Sequence, residues 1–546
     1  MNFNKENIQN NKFTTFVKKY WIPIASAFVI LLVALSLVGI YQEDILENEP
    51  GIELEKGTGL YFASGEIDSL NPLISQSSDT YYLTKLIYNG LFEFDDTFNA
   101  KPELVKSYKT NAEQGSITIT LRKGIKFHNG KKLTANDVQF TINTIKTFGK
   151  KSPYYSKVSK ISNVSVSNDT KLTIQFKSNK NGSLDDLVFP VVPSSTHVSS
   201  KAFIDDDKNF KPVGTGQYKL SQYDYLKKIV LKPNKSYFGS AATQNICIQI
   251  LPNKKYESKL LETYAVTCYA TDSDDRKTII KDNNYKMYDM ISNEADFIVY
   301  NEKKGPFTNK TARQGVSYAI DVNKVITDGY MDDAVYTDNI FYPGFLGVAN
   351  DSTSYRYNLE MAQNLLKNAG FTDKDSNGIL EDKSGKEMKI TILVNSNNVN
   401  RVAAAKIISK NLQNAGLDNT VVSVSWSDYT KKIARKEYDI LITGYKMNAD
   451  FDLRTFFNGK TKWGYKNNEL LAKATELERL YSAEKYAELY SDLKKSMLDE
   501  MPYYALCYRK MGLVGVEHFE TEKIPTFDDI YRYTEAWSWK KPVKTE

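Results

Sequence analysis

Between Ser116 and Ile145 the chain changes its apolar period once, and that change constrains the fold it can enter. Ser116 to Arg122 alternates small polar residues with Ile117, Ile119 and Leu121, the spacing of a strand with one buried face. Asn129-Gly130 is a strong turn dipeptide. Thr134 then stands where a helix N-cap belongs, with Asp137 three residues on to complete a capping box. Val138, Phe140, Ile142 and Ile145 follow as the apolar positions of a helix. A strand, a tight turn and a capped helix in such short order is an α/β unit. From Gly57 onward short strand and helix patterns keep alternating, and no 20- to 50-residue period signals a solenoid.

Ahead of this, Ile22–Ile40 is apolar apart from Pro23, Ser26, Ser36 and Gly39. At about 1.5 Å per residue it comes close to the ~30 Å of a bilayer's hydrocarbon. Trp21 and Tyr41 bracket it; Lys12, Lys18 and Lys19 precede it, and Glu43, Asp44, Glu47 and Glu49 follow. This charge asymmetry places the N-terminus in the cytoplasm and the remainder outside the cell, on a single-pass cell-membrane anchor. A cleaved signal peptide is the alternative, although no small-x-small site follows the apolar run. The net charge of +6 comes from 72 basic and 66 acidic side chains, a balance that argues against nucleic acid. Cys247, Cys268 and Cys507 are widely spaced without a CxxC, so they read as buried thiols, with a Cys247–Cys268 bridge left open.

The stretch Leu121-Arg-Lys-Gly-Ile-Lys-Phe-His-Asn-Gly130, with Leu133-Thr-Ala-Asn-Asp-Val-Gln-Phe140, resembles the signature of the family 5 extracellular solute-binding proteins. Ser69-Leu-Asn-Pro72, Ile87-Tyr-Asn-Gly-Leu91, Pro212-Val-Gly-Thr-Gly-Gln-Tyr-Lys-Leu220 and Asn234-Lys-Ser-Tyr-Phe-Gly239 resemble further motifs of that family. So do Ala312-Arg-Gln-Gly-Val-Ser-Tyr-Ala-Ile-Asp321, Glu360–Phe371 and Met501-Pro-Tyr-Tyr504, all in family order. The resemblance implies a two-lobed, class II periplasmic-binding-protein-like α/β fold, here preceded by one transmembrane helix. Residues 1–21 would be cytoplasmic, 22–40 the anchor and 41–56 an acidic stalk. Lobe I would comprise 57–74, 201–300 and 509–546, with an inserted subdomain at 75–200; lobe II would be 301–508.

An enzyme finds little support in the residues. The three histidines, His128, His197 and His518, have no second His or Cys at ligand spacing, and there is no HExxH, GxSxG or Walker loop. His128 reads as a hydrogen-bonded structural residue, and no cofactor or metal is expected. Asp373-Lys-Asp-Ser-Asn-Gly378 resembles the start of a calcium loop, but Ser384 occupies the twelfth position, so an acidic surface turn is the favoured reading.

The resemblance places a ligand-binding turn at Tyr438–Asp452. Asp450 matches the aspartate that pairs with a peptide's α-ammonium in relatives, Asp452 is the second choice, and Tyr445, Asn448 and Ala449 share the turn. Tyr445 replaces the family's usual Trp, and a solvated acidic turn is the alternative. Ser77 and Ser78 would meet the ligand backbone, Tyr504 would line the cleft, and Arg401 would receive a carboxylate. The expected ligand is an oligopeptide, and the expected partners are the permease and ATPase subunits of an ABC importer, with the cell membrane holding the N-terminal helix. A nickel chelate or other small solute, or a sensed peptide pheromone, are the alternatives.

Overall fold

In the computed structural model the described residues run from Gly59 to Trp539, apart from 179–181, 207–209, 274–275, 277–279, 281–283 and 349–354. The expected anchor at 22–40 and stalk at 41–56 lie outside the described residues. Among the described residues no helix is long and apolar enough to cross a membrane.

The first strands are β1 (Gly59–Ser64), β2 (Phe92–Phe94), β3 (Ala100–Pro102), β4 (Val105–Asn111), β5 (Ser116–Leu121), β6 (Ile161–Asn168) and β7 (Lys171–Phe176). Then come β8 (Tyr218–Asp224), β9 (Lys228–Pro233), β10 (Asn245–Ile250), β11 (Cys268–Thr271) and β12 (Lys286–Tyr300). The last are β13 (Ala334–Val335), β14 (Lys389–Asn395), β15 (Asp418–Val424), β16 (Ile440–Lys446) and β17 (Tyr503–Gly515). Strands β4, β5, β7 and β6 form a small separate antiparallel sheet, within the stretch expected as an inserted subdomain, and Ile117, Ile119 and Leu121 are its buried face as their alternation requires.

One large sheet runs β15-β14-β16-β12-β17-β11-β1-β10-β9-β8, with β13 added on β17. Its two central strands, β12 and β17, belong to both lobes. Lys286–Ile291 pairs with Lys510–Gly515, the register slips, and Ala295–Val299 resumes against Tyr503–Tyr508. On the first side of that slip β17 pairs with β11, and on the second side β12 pairs with β16. Thus the only sheet continuity between the lobes, among the described residues, passes through two strands and a bulge at 292–294. A bulge loosens the ladder locally and bends its strand, which suits a hinge.

Lobe II is a β-α-β-α-β layer in which β14, β15 and β16 run parallel, linked by helices Val399–Asn414 and Trp426–Arg435. Its core gathers Ile298, Phe307, Val316, Leu366, Ile392, Ile408, Leu412 and Ile442, all almost wholly removed from water. Such burial is the main favourable term, at roughly 25 cal/mol per Å² of apolar surface.

Four of the motifs that carry the family resemblance converge on one knot in lobe I. His128 Nε2–H donates to the Gly216 carbonyl (3.1 Å), and its Nδ1 accepts from the Gly214 amide (3.3 Å). Gly216 in turn donates to the Ile87 carbonyl at the end of helix Ser78–Ile87. A Cβ on Gly214 would fall 1.9 Å from that carbonyl oxygen, so only glycine permits the approach. Thr215 donates to Asn89 Oδ1, and Asn234 Nδ2 donates to the Gly216 carbonyl. Burial, with the positive charge of Lys219, lowers the pKa of His128 from 6.5 to about 4 and keeps it neutral, although the bond to Gly216 works the other way. The knot is scaffold, as expected of His128.

The three cysteines are free and buried. Cys247 and Cys268 lie on β10 and β11, which β1 separates, so two strand spacings of about 4.8 Å keep them beyond disulfide reach.

Candidate functional site

The turn that follows β16 is pinned to the lobe crossing. Met447 N–H donates to the Asn293 carbonyl (2.9 Å) and Asn293 Nδ2 donates back to the Met447 carbonyl (2.6 Å), so the turn rides on the bulge of β12. Gly444 lies inside β16, opposite Asp296. Its missing side chain makes room for Arg401, whose Nη2 would stand 1.9 Å from a Cβ there. Phe451 then turns with φ +45°, a left-handed conformation uncommon for a large residue, and its amide donates to the Asn448 carbonyl. Asp450 is half-buried at this corner, and the Asp452 amide approaches its Oδ1 at 3.4 Å.

Around Phe451 the lobes meet through aromatic rings. Phe98, from the loop between β2 and β3, packs on Phe451 (5.2 Å between centroids), Tyr342 (4.9 Å) and Phe527 (4.9 Å). Phe98 also has φ +61°, and Leu346, whose amide donates to the Thr97 carbonyl, has φ +55°. Backbone held in this region on both sides of one seam requires the surrounding packing to over-determine it, a condition common at ligand clamps.

Beside the rings lies a cluster of charges drawn from both sides. Lys160 Nζ is 2.8 Å from Asp186 and 2.6 Å from Glu478, and Arg454 is 3.3 Å from Glu478 and 2.7 Å from Asp452. These pairs leave Asp185 and Asp450. Lys157 donates to the backbone carbonyls of Asp185 and Val188, and its charge offsets only part of the burial of the Asp185 carboxyl. Burial pushes the Asp185 carboxyl up to about 8, and the negative charge of Asp450 adds to the shift. Two acids facing one another this way favour a cation between them.

Other residues expected at the site fall elsewhere. Asn448 is exposed and Ala449 half-buried on the same turn as Asp450, while Tyr445 packs edge-on against Phe456 (5.0 Å). Ser77 caps helix Ser78–Ile87, accepting from the Asp79 and Thr80 amides and donating to the Glu66 carbonyl; Ser78 is exposed at the first helical position. Arg401 is already paired, with Asp296 (2.5 Å) and Glu294 (2.7 Å), and Tyr330 closes the other oxygen of Asp296. Burial works against its charge, but Asp296 more than offsets this and raises its pKa. Tyr504 is buried in the core of lobe II, its hydroxyl donating to the Tyr355 carbonyl. Both Arg401 and Tyr504 are therefore occupied within lobe II.

Lys160, Asp185, Asp186, Arg454 and Glu478 were not singled out by the sequence. Ser183 with Asp186 does carry the spacing of a capping box, and the Ser183 amide donates to Asp186. Nothing local points from there to Glu478. Away from the seam, the acid oxygens of Asp373, Asp375 and Glu381 lie within 4.8 Å of one another. The amides of Asn377, Gly378 and Lys374 already donate to them, as in a self-capped acidic turn.

The description of bacterial extracellular solute-binding proteins, family 5, matches residues 99–467. The oligopeptide-binding protein AppA of Bacillus subtilis is 24% identical over 497 residues, covering 87% of this chain and 90% of its own. The dipeptide-binding protein of Escherichia coli is 26% identical over 489 residues, covering 82% and 88%. The crystal structure of NikZ from Campylobacter jejuni in complex with Ni(L-His) superposes with a TM-score of 0.62 at 22% identity, covering 88% of this chain and 99% of that one.

Proposed function

Because the chain belongs to the family 5 bacterial extracellular solute-binding proteins, we propose that it captures oligopeptides outside the cell and hands them to the permease of an ABC importer. The observation that carries this reading is the half-buried Asp450 at the seam between two lobes, close enough to Asp185 for its charge to act on that carboxyl and outside every ion pair formed among the described residues. A carboxylate shielded from water gives a charge-assisted bond to –NH₃⁺ about twice as strong as a neutral hydrogen bond. Asp450 is the anchor for the peptide's α-ammonium, and Asp185 shares the charge. Phe98, Phe451 and Tyr342 exclude water beside it, which strengthens every electrostatic contact inside. The chain binds and does not catalyse. Capture closes the lobes about the bulge at 292–294, and the apolar stretch 22–40 anchors the whole at the outer face of the cell membrane.

Relatives named for oligopeptides and dipeptides agree with this reading. The test is calorimetry with a set of tripeptides, each with a free or an acetylated amino terminus. Binding of the free forms and loss of the acetylated ones is the expected result. Equal binding of both forms refutes the ammonium anchor and favours a small solute such as a metal chelate.

A further inference from the structure

The charges at the seam do more than surround a ligand. Lys160 follows the short helix Tyr155–Val158 of the inserted subdomain and lies between two carboxylates of different origin. Asp186, from its own side, is 2.8 Å away, and Glu478, from the loop between lobe II helices Asn468–Glu476 and Ala483–Glu500, is 2.6 Å away. A backbone bond lies alongside, the Gly182 amide donating to the Glu478 carbonyl at 2.7 Å. The three side chains expose 22%, 6% and 11% of their surface, so solvent screens this pair less than an ordinary surface one.

Each half of the contact also has a partner on its own side. Lys160 keeps Asp186, which the Ser183 amide fixes, and Glu478 keeps Arg454, 3.3 Å away. When the lobes part, neither charge is left buried and alone. The usual penalty for breaking a buried ion pair comes from the uncompensated charge that remains, and here that penalty is absent. The bond is therefore reversible by construction. Its residues also adjoin the ligand acids: Asp186 follows Asp185, and Asp452 and Arg454 follow Asp450.

We propose that Lys160, held between Asp186 and Glu478, is a charge clasp that sets the ratio of closed to open lobes. A cation bound between Asp185 and Asp450, one acid from each side, bridges the seam next to the clasp and so favours its closing. The purpose of the device rests on the capture reading above; its existence does not, because closure is measurable without ligand.

Spin labels at Asn163→Cys and Glu488→Cys, both exposed positions on opposite sides of the seam, report the distance between the halves in the full unliganded chain. Lys160→Met lowers the closed-to-open ratio about tenfold, the size expected of one part-buried ion pair. Glu478→Gln, which keeps shape and removes charge, moves it the same way, and the double variant moves it no further than either alone. Unchanged distances in both single variants, or two effects that simply add, overturn the clasp. Peptide binding is then measured separately, so a chain that bound no peptide would refute the capture reading and leave this result standing.

Discussion

His128 offers a direct check on the claim that the family's most recognisable residues are scaffold. Its ring donates from Nε2 to Gly216 and accepts at Nδ1 from Gly214, a pattern only the neutral imidazole can satisfy. Protonation would set an N–H against the Gly214 amide, with Lys219 adding further positive charge. The folded-state pKa of about 4 lies below the ordinary 6.5, mainly through burial. Between those values the unfolded chain binds a proton that the folded chain refuses, so stability falls as pH drops through 6.5 and stops falling below 4. By linkage the loss is about 2 kcal/mol at pH 5 and about 3 kcal/mol at pH 4. Urea unfolding of the wild type and His128→Gln from pH 7.5 to 4 isolates the term, since every other titrating group is common to both. The gap between the two stabilities should shrink by about 3 kcal/mol from neutral pH to pH 4. Parallel curves over the whole range would refute the neutral clasp and reopen a functional role for this histidine.

Two further outcomes follow from the buried charges. Arg401→Met leaves Asp296, which is 1% exposed, without its cation, and should lower stability by about 3–5 kcal/mol while leaving peptide affinity unchanged in the folded protein; urea unfolding and calorimetry read the two quantities. Asp185, with its carboxyl pushed up to about 8, is mainly protonated at neutral pH. A bound ammonium favours its ionised form, so binding at pH 7 should release about 0.9 proton, and affinity should rise between pH 6 and 8. Calorimetry in buffers of different ionisation enthalpy measures the release, and Asp185→Asn abolishes it.

The local grammar of the fold was legible in the sequence because neighbours in the chain decide it. The alternation at Ser116–Leu121 and the capping pair Thr134–Asp137 both lie within a residue or two of their expected limits. Beyond these, the hinge half of β12 carried no such local signal. That half is largely half-exposed and lacks a clean period of two, and its partner β17 lies over 200 residues away. The need for Gly444 was not legible either, because a glycine required by a close approach looks the same in sequence as one required by a turn. The acid at Asp450 could be named from its motif. The charges that face it could not, since Lys160 and Glu478 are 318 residues apart and nothing local to either records the other. Arg401 shows the converse: a lone arginine near a cleft in sequence is in fact held by Glu294 and Asp296 from the hinge strand.

The central claim is that Asp450 receives the positive end of a peptide, and the affinity of Asp450→Ala for a free-amine peptide bound by the wild type tests it most directly. Removing one partner of a part-buried charge pair costs about 2–5 kcal/mol, so dissociation constants should rise about 30-fold or more while the thermal unfolding midpoint stays unchanged. Equal affinity of variant and wild type would contradict the account.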